Sequence, residues 1–165
     1  MGQFQHSLNF FAEPLLNAHK LLIWCEMKIV LKEEVDFNAG FYYRQQFKIY
    51  REHYLIWDKE TWETVLSTCT VIRIEIDGKW AGDIILEDMG KKAKNIVDFS
   101  ILPEYQGKGI GKAVLEEVKK TCKRLRAVTR KETLGFFLKC GFVLKRTIKN
   151  YYHPGVDGYG ILFRR

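Results

Sequence analysis

ILPEYQGKGIGKAVLEEV, residues 101–118, decides how the chain is read. An apolar strand end, Ile101-Leu102-Pro103, runs into three alternate glycines, Gly107, Gly109 and Gly111. Helical periodicity follows, with Ile110, Val114, Val118 and Cys122 on one face and Lys112, Glu116, Lys119 and Lys123 off it. Glycines let backbone N–H groups come close to an anion. A helix N-terminus adds unpaired N–H groups and a partial positive charge, and Lys108 and Lys112 add full charges. The segment reads as a cradle for phosphate or pyrophosphate. It is not a P-loop, because Gln106 stands where the first glycine belongs and Ala113 where Ser or Thr follows the lysine. It is not a dinucleotide GxGxxG either, because Lys112 or Val114 takes the place of the third glycine.

Working outward, the strand before the loop is NIVDFSIL (95–102). Before it lie VIRIEI (71–76) and WAGDIIL (80–86), joined by an Asp77-Gly78 hairpin signal. The aromatic stretch 38–66 reads as two helices split at Asp58, a plausible N-cap. After the glycine helix come a strand at 124–129, a helix at 132–140 and strands at 142–148 and 158–163. The fold class expected is α/β, in the α+β sense: one mixed β-sheet flanked by helices. Residues 1–26 read as an N-terminal extension, with LLNAHKLLIW a short helix after Pro14, and residues 27–165 as one domain opening on the strand-like MKIVLKEEV.

The chain has 165 residues, 47% hydrophobic and 28% charged, which fits one folded domain and excludes a disordered or collagen-like chain. No apolar run is long enough to span a membrane. The net charge of +7 is unevenly placed: residues 1–90 sum to −5 and residues 91–165 to +12. The C-terminal half should therefore attract an anion. Cys25, Cys69, Cys122 and Cys140 form no CxxC pair and no Cys/His cluster with zinc spacing. Reduced thiols, a cytoplasmic location and no metal are the expectation.

The spacing Gln106-x-x-Gly109-x-Gly111 resembles the acetyl-CoA pyrophosphate loop of the GNAT N-acetyltransferase superfamily. FFLKCGF (136–142) resembles that family's second cofactor helix and the Gly-Phe opening its next strand. The element order from Met27 to Arg165 agrees. The resemblance implies a GNAT-like fold whose central sheet splays between its fourth (95–102) and fifth (124–129) strands, with acetyl-CoA as cosubstrate in the gap. It implies cofactor contacts at Ile101 and Leu102, along Gln106, Gly107, Lys108, Gly109, Ile110, Gly111 and Lys112, and at Phe137, with Arg130 or Lys139 as candidates for the 3′-phosphate. The tail KNYYHPGVDGYGI (149–161) resembles that of GNAT enzymes acetylating protein N-termini, with Tyr151, Tyr152, Asp157 and Tyr159 at the matching positions. Tyr151 and Tyr152 are thus candidates for the acceptor site and for catalysis.

The chain departs from that pattern at the acid and base. Phe137 stands where many members carry the Tyr that protonates the leaving thiolate, Arg130 where N-terminal acetyltransferases often have Asn, and Leu125 where a base is common. The remaining candidates are Tyr43, Asp98, Glu104 and His153, besides the tyrosine pair. Asp98 alternates opposite Val97, Phe99 and Ile101. An α-amine, with a pKa of about 7.7–8.0 against about 10.4 for lysine, needs less help from a base. The function expected is acetyl transfer to an amine, with a protein or peptide N-terminus favoured. The alternatives are a small-molecule amine, for which Glu33, Glu34 or Asp36 offers acidity, and a non-catalytic acyl-CoA-binding module. A monomer or homodimer is expected, with no nucleic-acid partner, because the cofactor loop accounts for much of the basic charge.

Overall fold

The computed structural model describes residues 20–24, 27–35 and 38–165. Eight strands form one sheet: β1 (Lys20–Trp24), β2 (Met27–Glu33), β3 (Thr70–Ile76), β4 (Lys79–Asp88), β5 (Ala93–Ile101), β6 (Arg124–Thr129), β7 (Val143–His153) and β8 (Val156–Arg164), in the order β1-β2-β3-β4-β5-β6-β8-β7. The sheet is mixed, as expected, and β5–β6 is its parallel pair. Four helices accompany it: α1 (Ala39–Gln46), α2 (Lys59–Thr68), α3 (Ile110–Lys120) and α4 (Lys131–Lys139).

The helix expected across 15–24 is corrected where the structure describes it. Lys20–Trp24 is an edge strand paired antiparallel with β2, and residues 15–19 lie outside the described residues. An apolar run of five residues carries no usable period, and the open edge of β2 settles its state by pairing. Because β1 comes first, the strands expected as fourth and fifth are β5 and β6.

Local chemistry explains the boundaries. Asp58 caps α2, its carboxylate accepting from Thr61 N–H at 2.7 Å, and Asn38 caps α1 through Phe41 N–H at 2.9 Å. Asp77 and Gly78 both take positive φ, 50° and 77°, as the two-residue turn between β3 and β4 requires. One sheet face buries Ile72, Ile74, Ile84, Ile96, Leu125 and Ile161 against α3 and α4. On the opposite face α1 and α2 bury Tyr42, Trp62 and Leu66 over Val71 and Ile85 of β3 and β4. Cys69, Cys122 and Cys140 are free thiols. No helix among the described residues is long and apolar enough to cross a membrane.

Two irregularities open the sheet. The register of β4 against β5 shifts between Ile85 and Leu86, which face Asp98 and Ile96, so Val97 is an extra, bulged residue. Beyond the bulge β5 leaves β6: their pairing runs from Ala93/Arg124 to Ile96/Ala127 and stops. The strands therefore splay over residues 97–101 on one side and 128–129 on the other. Gly82 of β4 makes the approach possible. Its φ is 153°, and a Cβ there would lie 2.1 Å from the Ser100 carbonyl oxygen, so any side chain would push β5 away at the mouth of the gap.

Candidate active site

The splay opens into a cavity of about 760 Å³ that runs from the glycine loop to the segment joining α1 and α2. At the loop end it is lined by Ile101, Gln106, Gly107, Gly109, Ile110, Gly111, Lys112 and Phe137, all expected cofactor residues. Gly107 and Gly109 have φ of 73° and 79°, a left-handed backbone that side chains disfavour. Gly109 is the residue preceding α3 and offers no side-chain cap, so the first N–H groups of the helix stay open toward an anion. A Cβ on Gly111 would come 3.1 Å from the Phe136 ring, so glycine also lets α3 pack on α4. The Gln106 carboxamide donates to the Ile101 carbonyl at 2.7 Å and ties the loop to the end of β5.

The other expected cofactor residues sit differently. Lys108 is exposed, with its ammonium 5.7 Å from the centre of the Tyr105 ring. Leu102 is buried, and its N–H is taken by the Ala81 carbonyl at 2.8 Å. Since Leu102 N–H points to β4, strand alternation turns the N–H groups of Ile101 and Phe99 toward the gap. Lys139 lines the cavity, whereas the Arg130 guanidinium, also on its wall, is paired with Glu52 at 3.3 Å.

At the far end Val97 and Asp98 meet Tyr50, Glu52, Tyr54, Trp57 and Trp62. The bulge corrects the expected alternation: Val97 joins the cluster under α1 and α2, while Phe99 and Ile101 pack against the opposite core. Tyr50 O–H donates to Asp98 Oδ1 at 2.5 Å. Asp83 pairs in register with Ser100 and accepts its hydroxyl at 3.2 Å. Burial raises the Asp98 carboxyl to about 6, with the hydrogen bonds from Tyr50 and the Phe99 backbone holding it back. Burial, and next the charge of Asp98, raise Asp83 well above its ordinary value, against the pull of Ser100 and Arg73. Of the two buried carboxyls, Asp98 is the one whose carboxylate form is supported by hydrogen bonds from Tyr50 and the Phe99 N–H, and it is able to take a proton.

The tyrosine pair lies on β7, which continues to His153 rather than ending at 148. Tyr152 lines the cavity and donates its O–H to the Val128 carbonyl at 2.9 Å, the β6 group next to the point where pairing with β5 stops. Its oxygen lone pairs remain able to accept. Tyr151 is 51% exposed and packs edge-on against Tyr152 at 4.8 Å. Asp157 is occupied with the hairpin, binding Lys149 Nζ at 2.7 Å and Asn150 N–H at 3.1 Å. Phe137 packs on Phe136 and Phe142. Glu34 binds Arg73 at 3.4 Å, Glu33 is exposed, and Asp36 lies outside the described residues. Sequence reasoning missed Glu52 and Asp83 as members of this site and did not single out Tyr50 from the aromatic residues over the acceptor end. Tyr50 stood within the aromatic run, but only strand pairing and the loop's return bring it to Asp98.

The strand-splayed mixed sheet with a glycine loop at the head of its central helix is the arrangement expected of a GNAT-like fold. Residues 67–144 match the family described as acetyltransferase (GNAT) domain. The match runs from the end of α2 to the start of β7 and supports an acetyltransferase with acetyl-CoA as cosubstrate. Solved structures share the fold. The ribosomal-protein-S18-alanine N-acetyltransferase from Escherichia coli aligns with TM-score 0.70 at 18% identity, over 82% of this chain and 93% of that one. Arabidopsis thaliana Naa50, in complex with the bisubstrate analogue CoA-Ac-MVNAL, aligns with TM-score 0.68 at 18% identity, over 83% and 99%. A GNAT family acetyltransferase from Elizabethkingia anophelis with acetyl-CoA bound gives 0.63 at 17%, over 83% and 98%. No curated protein matches the chain.

Proposed function

We propose that this enzyme acetylates the α-amine of a peptide or protein N-terminus, with Asp98 as the general base. The observation that carries the reading is the placement of Asp98. It lies on the cavity wall at the splay, between the loop that holds the cosubstrate and a wall made by the α1–α2 segment and Tyr152. Backbone N–H groups of the 106–112 loop and of α3 hold the pyrophosphate, with Lys112 adding charge. The N–H group of Ile101, turned toward the gap, faces the thioester and polarises its carbonyl. Asp98 takes the ammonium proton, the neutral amine attacks the thioester carbon directly, and the C–S bond breaks to release CoA as a thiolate, which takes up the second proton that the nitrogen sheds. An α-ammonium suits a base of this strength better than a lysine side chain does, because its proton is more weakly held.

Support for a peptide comes from Tyr152, whose O–H is spent on Val128 while its oxygen can accept an N–H from a substrate backbone. The likeness to enzymes whose names specify ribosomal-protein alanine, and to one solved with a peptide-bearing analogue, adds to it. A second reading, a small amine, is favoured by one feature. The Glu52–Arg130 ion pair and the Tyr54–His153 ring contact at 5.6 Å join the two walls of the acceptor end. Steady-state kinetics of Tyr152→Phe with peptide and small-amine acceptors separates them. A peptide enzyme loses about two- to tenfold in kcat/KM for peptide, from about 0.5–1.5 kcal/mol per hydrogen bond, while KM for acetyl-CoA stays constant. Turnover of small amines alone by the wild-type enzyme rejects the peptide reading.

A further inference from the structure

α1 and α2 cover only the β2–β5 part of their sheet face. The same face continues across β6, β8 and β7, where the 53–55 turn reaches the His153 end of β7 and none of α1 to α4 lies over the rest. Registers and glycine contacts define what stands there. Arg124 and Arg126 are exposed and alternate with the buried Leu125 and Ala127. Arg164 sits directly opposite Arg124 across the β6–β8 ladder. Arg146 crosses β8 over Gly160, whose Cβ would lie 3.0 Å from its Cγ, and the Tyr151 ring crosses over Gly158, whose Cβ would lie 2.8 Å from it. Leu162, opposite Arg126, fills the space between. The result is a flat face of four exposed arginines and an exposed aromatic ring.

No acidic side chain neutralises these arginines among the described residues. Arg73 and Arg130 are the arginines that form ion pairs there. Arg126 reaches only the Met89 sulfur, at 3.4 Å. Like charges directly opposite on neighbouring strands are destabilising, so the Arg124–Arg164 pair costs stability that an anion shared between them would recover. The cofactor loop does not account for these charges, since none of the four arginines lines the cavity.

We propose that this open face binds single-stranded RNA. A chain of phosphates matches a row of guanidiniums, and an exposed phenol ring with planar guanidiniums offers surfaces on which bases stack. Arginine is a donor with no acceptor, and RNA offers 2′-hydroxyl oxygens as well as phosphate oxygens to such donors. This revises the expectation of no nucleic-acid partner and does not depend on which amine is acetylated.

The test is fluorescence anisotropy of the full chain with a labelled 20-nucleotide mixed-sequence RNA, from 50 to 200 mM KCl. Four phosphate contacts give a log–log salt slope of about −2.8, so affinity falls about 50-fold over that range. R124E/R164E lowers affinity at least about tenfold and brings the slope to about −1.4, with acetyl-CoA binding and melting temperature retained. If that variant does not fold, R126Q/R146Q makes the same test. K59E/K79E, an equal change in net charge on the other half of the chain, leaves RNA binding intact. Equal loss in K59E/K79E, no loss in the arginine variants, or displacement of RNA by saturating acetyl-CoA overturns the proposal. So does equal binding of single-stranded DNA of the same sequence or of polyglutamate.

Discussion

Tyr50→Phe tests the acid–base assignment through its pH dependence. The phenol donates to Asp98 at 2.5 Å, which stabilises the carboxylate and restrains a pKa that burial has raised to about 6. A hydrogen bond to a charged group contributes about 1.5–3 kcal/mol. At 1.36 kcal/mol per tenfold change, its loss raises the Asp98 pKa by about 1–2. At pH 7 the ionised fraction then falls from about nine-tenths to between about one-half and one-tenth, and kcat/KM falls about two- to tenfold. The sign is fixed: a base with a higher pKa is protonated over a wider acidic range, so the mutant recovers as pH rises. The acceptor amine also titrates, near about 7.7–8.0 for an α-amine. That ionisation is common to both enzymes and cancels in the ratio of mutant to wild-type kcat/KM. The assay is that ratio from pH 5.5 to 9.5 with one peptide acceptor. It should rise through neutral pH and level off above about 9. A ratio that stays flat, even at a low value, shows that Tyr50 acts on packing alone and refutes Asp98 as the base.

Three other perturbations probe the rest of the site. Gly109→Glu places a side chain and a negative charge at the residue before α3, where φ is 79°; calorimetry should show acetyl-CoA binding lost in a folded protein. Gly82→Ala brings a Cβ to 2.1 Å from the Ser100 oxygen; the gap-side edge of β5 must shift, and thermal melting should show a loss of at least about 2 kcal/mol, with KM for acetyl-CoA raised. Asp83→Asn removes a carboxyl whose pKa is raised in the fold. Such a group stabilises the fold fully only below its unfolded pKa of about 3.9, and that contribution is lost as pH rises. The variant should therefore melt a few degrees higher at pH 7.5, with the gain vanishing toward pH 4.

The legibility of this chain followed the range of the interactions. The glycine loop could be read because its chemistry is local: 18 consecutive residues hold the strand end, the positive-φ turn and the helix start. The 124–129 strand and the Asp77-Gly78 turn were equally local. The edge strand Lys20–Trp24 was not, because its state is set by the open edge of β2. Nor was the bulge at Val97, which shows only in the pairing of β5 with β4, where Ile85 and Leu86 face Asp98 and Ile96. The acid–base group depends on all of these at once. Asp98 stood in view as a single carboxylate, but its meaning needed Asp83 from β4 and Tyr50 from beyond α1.

The same long-range logic explains how an enzyme without the expected tyrosine at position 137 remains organised for transfer. Phe137 keeps the shape of that position by packing on Phe136 and Phe142 but brings no proton. Hydroxyls enter the gap from the other side, with Tyr50 on Asp98 and Tyr152 on Val128. Both phenols are pushed to higher pKa, first by burial, so each stays protonated across the working range. Each also stands where an ordinary sheet would have closed: Tyr50 over the bulge, Tyr152 on the first β6 carbonyl left without a β5 partner. The splay is thus held by side-chain hydroxyls in place of a backbone ladder, and the groups that keep it open are the ones within reach of the reaction.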